Sequence, residues 1–174
     1  NLTSGALGTA TAGRMEYDGR VPYFTPSGTQ RGVVPGMQYY VLNSGVTGSN
    51  ATGNQSVFGV SATVTASTIY RFEFFYQLTK TAGTTSHTVS LGFTGGFTPN
   101  WISYDVIWNS TTSYNVPNSG PYYTSGTQVA VFAITPARTA ANEYMEFHGS
   151  GTVSVNAGGT FTPLYALSAA PGGA

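Results

Sequence analysis

Polar and apolar residues alternate along much of this chain, most regularly from Thr68 to Lys80 (TIYRFEFFYQLTK). Aromatic and β-branched side chains there are interleaved with Arg71, Glu73 and Gln77. A period of two sends successive side chains to opposite faces, so this segment predicts a strand with one buried and one wet face. Further strands are expected at residues 38–42, 57–65, 88–93, 101–109, 127–135, 143–148, 152–156 and 161–168. Clusters of Gly, Pro, Asn and Ser punctuate them, at Gly95-Gly96, Pro117-Asn118-Ser119-Gly120 and Asn156-Ala157-Gly158-Gly159. His148-Gly149-Ser150-Gly151 reads as a turn between two strands. Residues 136–147 hold several helix formers in succession, yet Glu143-Tyr144-Met145-Glu146-Phe147 alternates, which favours a loop leading into a strand. Strands at this spacing predict an antiparallel sandwich of jelly-roll type.

The first 36 residues follow a different rhythm. Met15-Glu16-Tyr17, then Asp18-Gly19, then residues 21–25 make a hairpin signal, because Asp-Gly accepts the positive φ of a type I′ turn. Pro26-Ser27-Gly28 turns the chain again into residues 30–34. An isolated meander of this size is marginally stable. It is therefore expected to act as an attachment arm over residues 1–36, hinged at Pro35-Gly36, with the sandwich body over residues 37–174. The fold class is all-β: an antiparallel, jelly-roll-like β-sandwich preceded by a small N-terminal β-meander. No internal repeat at a fixed period is evident.

Charge sharpens this picture. Only 7% of the 174 residues are charged, against about 25% in an ordinary soluble domain. No Asp, Glu, Lys or Arg occurs from Gly32 to Tyr70, Thr81 to Tyr104, Val106 to Ala137 or Phe147 to Ala174. Such a chain stays wet through hydroxyls and amides, and its uncharged faces suit packing against copies of itself. Hydrophobic residues at 40% and aromatics at 14% are enough for a core. Six basic and six acidic residues cancel, and no basic patch offers the counterion release that drives nucleic-acid binding. Attraction to a membrane surface is equally unsupported, and the uncharged runs are too broken by polar residues to read as spans. The absence of cysteine removes disulfides and thiolate chemistry. No basic stretch leads into an apolar run as in a signal peptide. The chain begins at Asn1 rather than Met, which leaves room for residues upstream.

Candidate chemistry is sparse. His87 and His148 are the two histidines, and neither has a metal-binding spacing; each reads as a strand residue at a surface or interface. Neither Thr124-Ser125-Gly126 nor His148-Gly149-Ser150-Gly151 supplies a nucleophile elbow. A glycosidase needs two facing carboxylates, whereas Glu143 and Glu146 occupy odd and even positions of one strand and point apart. Asp105 lies near Trp101 and Trp108, and reads either as part of a sugar cleft or as a single acid on a half-buried strand. Glu16 and Asp18 share a strand face and are expected to pair with Arg14 or Arg20. No phosphate loop or EF-hand pattern occurs. The sequons at Asn1, Asn50, Asn54 and Asn109 are what an Asn/Ser/Thr-rich chain produces by chance. No catalytic, cofactor or metal residue is therefore expected. The remaining signal is aromatic. In a strand, one member of each adjacent pair, Tyr39-Tyr40 and Tyr122-Tyr123, faces away from the core, as interface and carbohydrate-contact residues do.

Several motifs point further. They include Leu2-Thr3-Ser4-Gly5, Thr11-Ala12-Gly13-Arg14-Met15-Glu16-Tyr17-Asp18-Gly19 and Tyr23-Phe24-Thr25-Pro26. Later pieces are Asn50-Ala51-Thr52-Gly53-Asn54-Gln55-Ser56-Val57-Phe58-Gly59-Val60, Lys80-Thr81-Ala82-Gly83-Thr84-Thr85-Ser86-His87-Thr88-Val89 and Gly151-Thr152-Val153-Ser154-Val155-Asn156-Ala157-Gly158-Gly159-Thr160-Phe161. Together they resemble a family of tailed-bacteriophage virion structural proteins over nearly the whole chain. The motifs are turns and strands, and they carry no chemistry. The resemblance implies a component of the virion, outside the cell, arranged as an oligomer and most often a trimer. Such proteins are tail-fibre or appendage modules, and similar jelly rolls decorate capsids. In that family the stretch matching Leu167-Ser168-Ala169-Ala170-Pro171 continues into a further strand, where this chain stops at Ala174.

The expectation is thus a non-enzymatic virion structural protein on the particle surface. A fibre or appendage module comes first, a capsid decoration protein second, and a carbohydrate-binding or glycan-degrading module third. Its partners would be itself as a homotrimer, other virion proteins and a host-surface glycan, with no nucleic acid, membrane or cofactor. Candidate interface aromatics are Tyr39, Tyr40, Trp101, Trp108, Tyr122 and Tyr123; candidate arm contacts are Arg14, Glu16, Asp18, Arg20 and Arg31.

Overall fold

The computed structural model describes residues 3–34, 36–57, 59, 61–110, 113–119 and 132–172, with backbone alone at 113–119 and 132–133. Two compact units emerge, Asn1–Tyr40 and Val41–Ala174. Among the described residues every named strand pair is antiparallel, and no helix occurs.

The first unit is a three-stranded meander of β1 (Met15–Tyr17), β2 (Pro22–Ser27) and β3 (Gln30–Val33), in that order. The β1–β2 turn is not the expected two-residue type I′. Tyr17 pairs with Pro22, which leaves Asp18, Gly19, Arg20 and Val21 in the loop. The cause is local. Asp18 Oδ1 accepts the amides of Arg20 at 2.8 Å and Val21 at 2.9 Å, building a side-chain-capped loop in which Gly19 alone takes positive φ, +93°.

The second unit holds two sheets. One has the order β10-β7-β12-β4, from β10 (Phe132–Ala133), β7 (Val89–Thr94), β12 (Gly159–Leu167) and β4 (Gln55–Ser56), with β5 (Ala62–Val64) also on β12. The other has the order β6-β11-β8-β9, from β6 (Thr68–Lys80), β11 (Glu143–Ala157), β8 (Thr98–Ser110) and β9 (Ser113–Ser119). Aromatic rings close the space between them. Phe93 of β7 meets Phe72 of β6 at 4.9 Å and Tyr104 of β8 at 5.0 Å between centroids, while Phe161 of β12 stacks on Phe93 at 4.5 Å. This is the expected sandwich, with inward side chains of both sheets forming one core.

The expected turn at residues 148–151 does not exist. β11 runs without a break through His148, Gly149, Ser150 and Gly151, paired with β6 on one side and β8 on the other. The two glycines are there for a packing reason. A Cβ on Gly149 would collide with the Phe74 ring. One on Gly151 would meet the Ser103 carbonyl oxygen at 2.5 Å and the Phe72 ring at 2.7 Å. The Phe72 and Phe74 rings of β6 lean over the central strand and leave no room for a side chain.

Two other expectations change. Residues 38–42 form no strand, since no ladder partner is present for them among the described residues. The strand expected at 57–65 is confined to β5. Residues 136–142 are the expected loop leading into a strand, and within it Arg138 makes an isolated antiparallel bridge with His87 ahead of β11. Most of the strand expected at 127–135 lies outside the described residues, apart from the β10 segment.

Candidate functional site

Backbone pairing assembles a charged cluster that no local motif announces. Lys80 ends β6, Glu143 begins β11, and the two are directly opposite in the ladder. The bridge between His87 and Arg138, closed by amide–carbonyl bonds of 3.0 and 2.8 Å, brings in two more side chains. Glu143 Oε1 then lies 3.2 Å from Lys80 Nζ, and Oε2 lies 3.4 Å from both His87 Nε2 and Arg138 Nε. The Glu143 side chain is fully enclosed, and its three partners are at most 10% exposed. The cations are themselves anchored. Lys80 Nζ donates to the carbonyls of Gly83 at 2.9 Å and Ala140 at 2.7 Å, and Arg138 Nη1 donates to Ser110 Oγ at 3.3 Å. His87 Nδ1 lies 2.9 Å from the Thr85 carbonyl oxygen, which can only accept, so this nitrogen is the donor and Nε2 is turned toward Glu143. The placement of His87 is a correction: it is buried, not a surface or interface residue, because its bridge to Arg138 turns its ring inward to Glu143.

This cluster sequesters four of the chain's few ionisable side chains in mutual contact. Its geometry fastens the end of β6, the segment after it, the 136–142 connection and the start of β11 to one carboxylate. Sequence reasoning missed it because residues 80, 87, 138 and 143 meet only through the sheet pairing. Glu146, also on β11, points to the opposite face and accepts a hydrogen bond from Tyr144 at 3.2 Å.

The candidate arm residues form a second charged set, internal to the first unit. Glu16 is buried on β1 and takes a two-pronged contact from Arg31, at 3.1 Å from Nε and 2.6 Å from Nη2. Arg14 Nε approaches the other oxygen at 3.4 Å, and the Gly8 amide donates to it at 2.8 Å. Arg31 Nη2 also holds the Gly8 carbonyl at 2.7 Å. Burial alone would push the Glu16 carboxyl up. The Arg31 hydrogen bond, the Gly8 amide and the two arginine charges outweigh it and leave the group below its ordinary value. Asp18 is lowered chiefly by the Val21 amide and then by that of Arg20, with Tyr23 donating to its other oxygen at 3.0 Å. Arg20 is exposed on the same loop.

The interface candidates separate. Tyr39 is 80% exposed and Tyr40 45%, in a stretch that also exposes Met37, Val41, Leu42 and Val46. Trp101 is half-buried on the outer face of β8, with Ser103, Asp105 and Ile107 following at alternate positions. Trp108 has the opposite parity and is a core residue, 2% exposed, which removes it from the exposed candidates. Asp105 therefore shares a face with Trp101 but not with Trp108. Next to Trp101, Asn100 fills a bulge and donates to Ser154 Oγ of β11 at 3.2 Å. Tyr122 and Tyr123 lie outside the described residues. The outer face continues on β6 with Ile69, Arg71, Glu73 and Phe75, the last in edge-to-face contact with His148 at 6.4 Å.

Comparison of the chain with protein-family models, with curated proteins and with solved structures gave no match.

Proposed function

We propose that this chain is a non-enzymatic structural component of a tailed-bacteriophage particle, held on the particle surface as an oligomeric fibre or appendage module. One observation supports the reading above the others: large apolar side chains lie outside while ionisable ones are tied up in architecture. Met37, Tyr39, Tyr40, Val41, Leu42 and Val46 are exposed along one stretch, and Ile69, Phe75 and Ile107 along the outer sheet face. Exposed apolar surface of this kind marks contact sites. Glu143, His87, Lys80 and Arg138 meanwhile hold the sandwich together, and Glu16, Arg31 and Asp18 hold the meander. The sequence resemblance adds the particle and the trimeric arrangement; the jelly-roll strand order belongs to the same reading.

A second reading draws on the outer face of β8. Trp101, Asn100, Asp105 and Ser154 combine an aromatic ring with hydroxyl, amide and carboxylate groups, a set suited to glycan contact. Gold-labelled antibody against the chain, applied to purified particles, tests the main reading. Label on fibres supports an appendage, and label on heads supports the capsid-decoration alternative. Particles that carry no label would remove both. If a host polysaccharide is cleaved by the protein, and the Asp105→Asn variant has lost that activity, the non-enzymatic reading fails.

A further inference from the structure

We propose that the edge of β6 turned away from β11 is a self-association surface, to which β6 of a second copy of this chain adds antiparallel about a two-fold axis through Phe72. The inference stands on the strand itself and not on the particle reading.

β6 is thirteen residues long and lies at one end of its sheet. Its ladder to β11 runs from Thr68 to Lys80 without a register shift. Among the described residues no strand pairs with its other edge. Such an edge presents a row of backbone donors and acceptors, and proteins usually blunt it with proline, a bulge or an inward-pointing charge. β6 has none of these over residues 68–79: it contains no proline or glycine, and Arg71 and Glu73 both point outward.

The side chains favour a second copy of the strand and the register centred on Phe72 over the two next to it. Two copies related by a two-fold axis at Phe72 place Arg71 opposite Glu73 of the second copy, and Glu73 opposite its Arg71. The same register sets Ile69 against Phe75, Tyr70 against Phe74, and Thr68 against Tyr76. Moving the axis one residue to Arg71 would put arginine against arginine, and moving it to Glu73 would put glutamate against glutamate. Like charges directly opposite destabilise a pair, whereas opposite charges and aromatic–aliphatic pairs stabilise it. Exposure agrees with this pattern. Ile69 is 65% exposed and Phe75 54%, and each would gain an apolar neighbour. Tyr70 and Phe72, half-buried at the margin of the core, would be covered by the added strand. Within one copy, Arg71 and Glu73 already meet at 3.3 Å, but both are highly exposed, and such a surface pair contributes little to folding. Its charges are better matched across the two-fold axis.

An isologous contact joins copies in pairs. It is therefore separate from the three-fold contact of the proposed trimer, and the two can fail independently. The lack of cysteine in the sequence makes cross-linking a clean test. In the proposed register residues 69 and 75 of two copies lie within disulfide reach, about 4.5–5.5 Å between Cα atoms. Oxidation of the I69C/F75C double variant should give a covalent dimer. The I69C variant alone should not, since its two cysteines lie six positions apart, roughly 20 Å along the strands. Independently, R71E sets four like charges around the axis and should weaken pairing about tenfold in sedimentation equilibrium. E73R should do the same, and the R71E/E73R exchange should restore the parent affinity. The thermal midpoint of each variant checks that the fold is intact. The proposal is overturned by a chain that stays monomeric at every concentration, by cross-linking of I69C alone or failure of the double variant to cross-link, or by pairing that charge reversal leaves unchanged.

Discussion

At the scale of single residues, two kinds of side chain decide this structure: the ones that are missing and the ones that are charged. Gly149 and Gly151 are glycines because the Phe74 and Phe72 rings of β6, and for Gly151 also the Ser103 carbonyl and the Tyr104 Cβ of β8, occupy the space a Cβ would need. Gly151→Ala should cost about 1–3 kcal/mol in urea unfolding, as overpacking does. Gly149→Ala should cost less, because it meets a ring that can tilt rather than a backbone carbonyl. Equal, negligible effects would mean that the rings are not packed as described. Glu16 and Asp18 carry the pH dependence of the meander. Both carboxyls lie below their ordinary values of 4.5 and 3.8 in the folded state. As pH falls, the unfolded chain therefore takes up protons first. The stability they contribute is complete well above pH 4.5 and drains away as pH drops through the lowered folded values. Amide exchange in β1–β3, corrected for its intrinsic rate, should accelerate over that range, and constant protection would contradict the assignment.

At the scale of elements, alternation was enough to find the long strands. Residues of β6 repeat with period two over thirteen positions, so strand type and buried face are both legible there, whereas β8 breaks phase at the Asn100 bulge and the core position of Trp108 is not readable from the sequence. Turn chemistry was less readable. Two glycines in a row of small residues look like a loop in sequence, yet here they lie beneath the Phe72 and Phe74 rings of β6, five strands earlier in the chain. The charged cluster was illegible for a related reason. Its members are brought together by the β6–β11 ladder and the bridge between His87 and Arg138, and spacing along the chain holds no trace of either. The cluster makes its own prediction. Glu143→Gln removes the carboxylate that Lys80, His87 and Arg138 share, and leaves the buried Lys80 and Arg138 without that counter-charge. Breaking a buried pair in this way costs about 3–5 kcal/mol. A fall of that size in the unfolding free energy is the expected result, and a variant as stable as the parent would show that the cluster does not clamp the sheet.

At the scale of the whole chain, low charge and exposed apolar residues point the same way. A chain with 7% charged residues places several of them where they hold strands together and leaves aliphatic and aromatic side chains in solvent. Surfaces of that kind are stable when they meet another surface. Light scattering of the unmodified chain, from the lowest measurable concentration into the high micromolar range, tests the central claim that this protein works by contact with copies of itself. The account predicts a mass that rises above that of one chain and settles at a defined multiple of 18.2 kDa. A mass that stays at one chain throughout would contradict it.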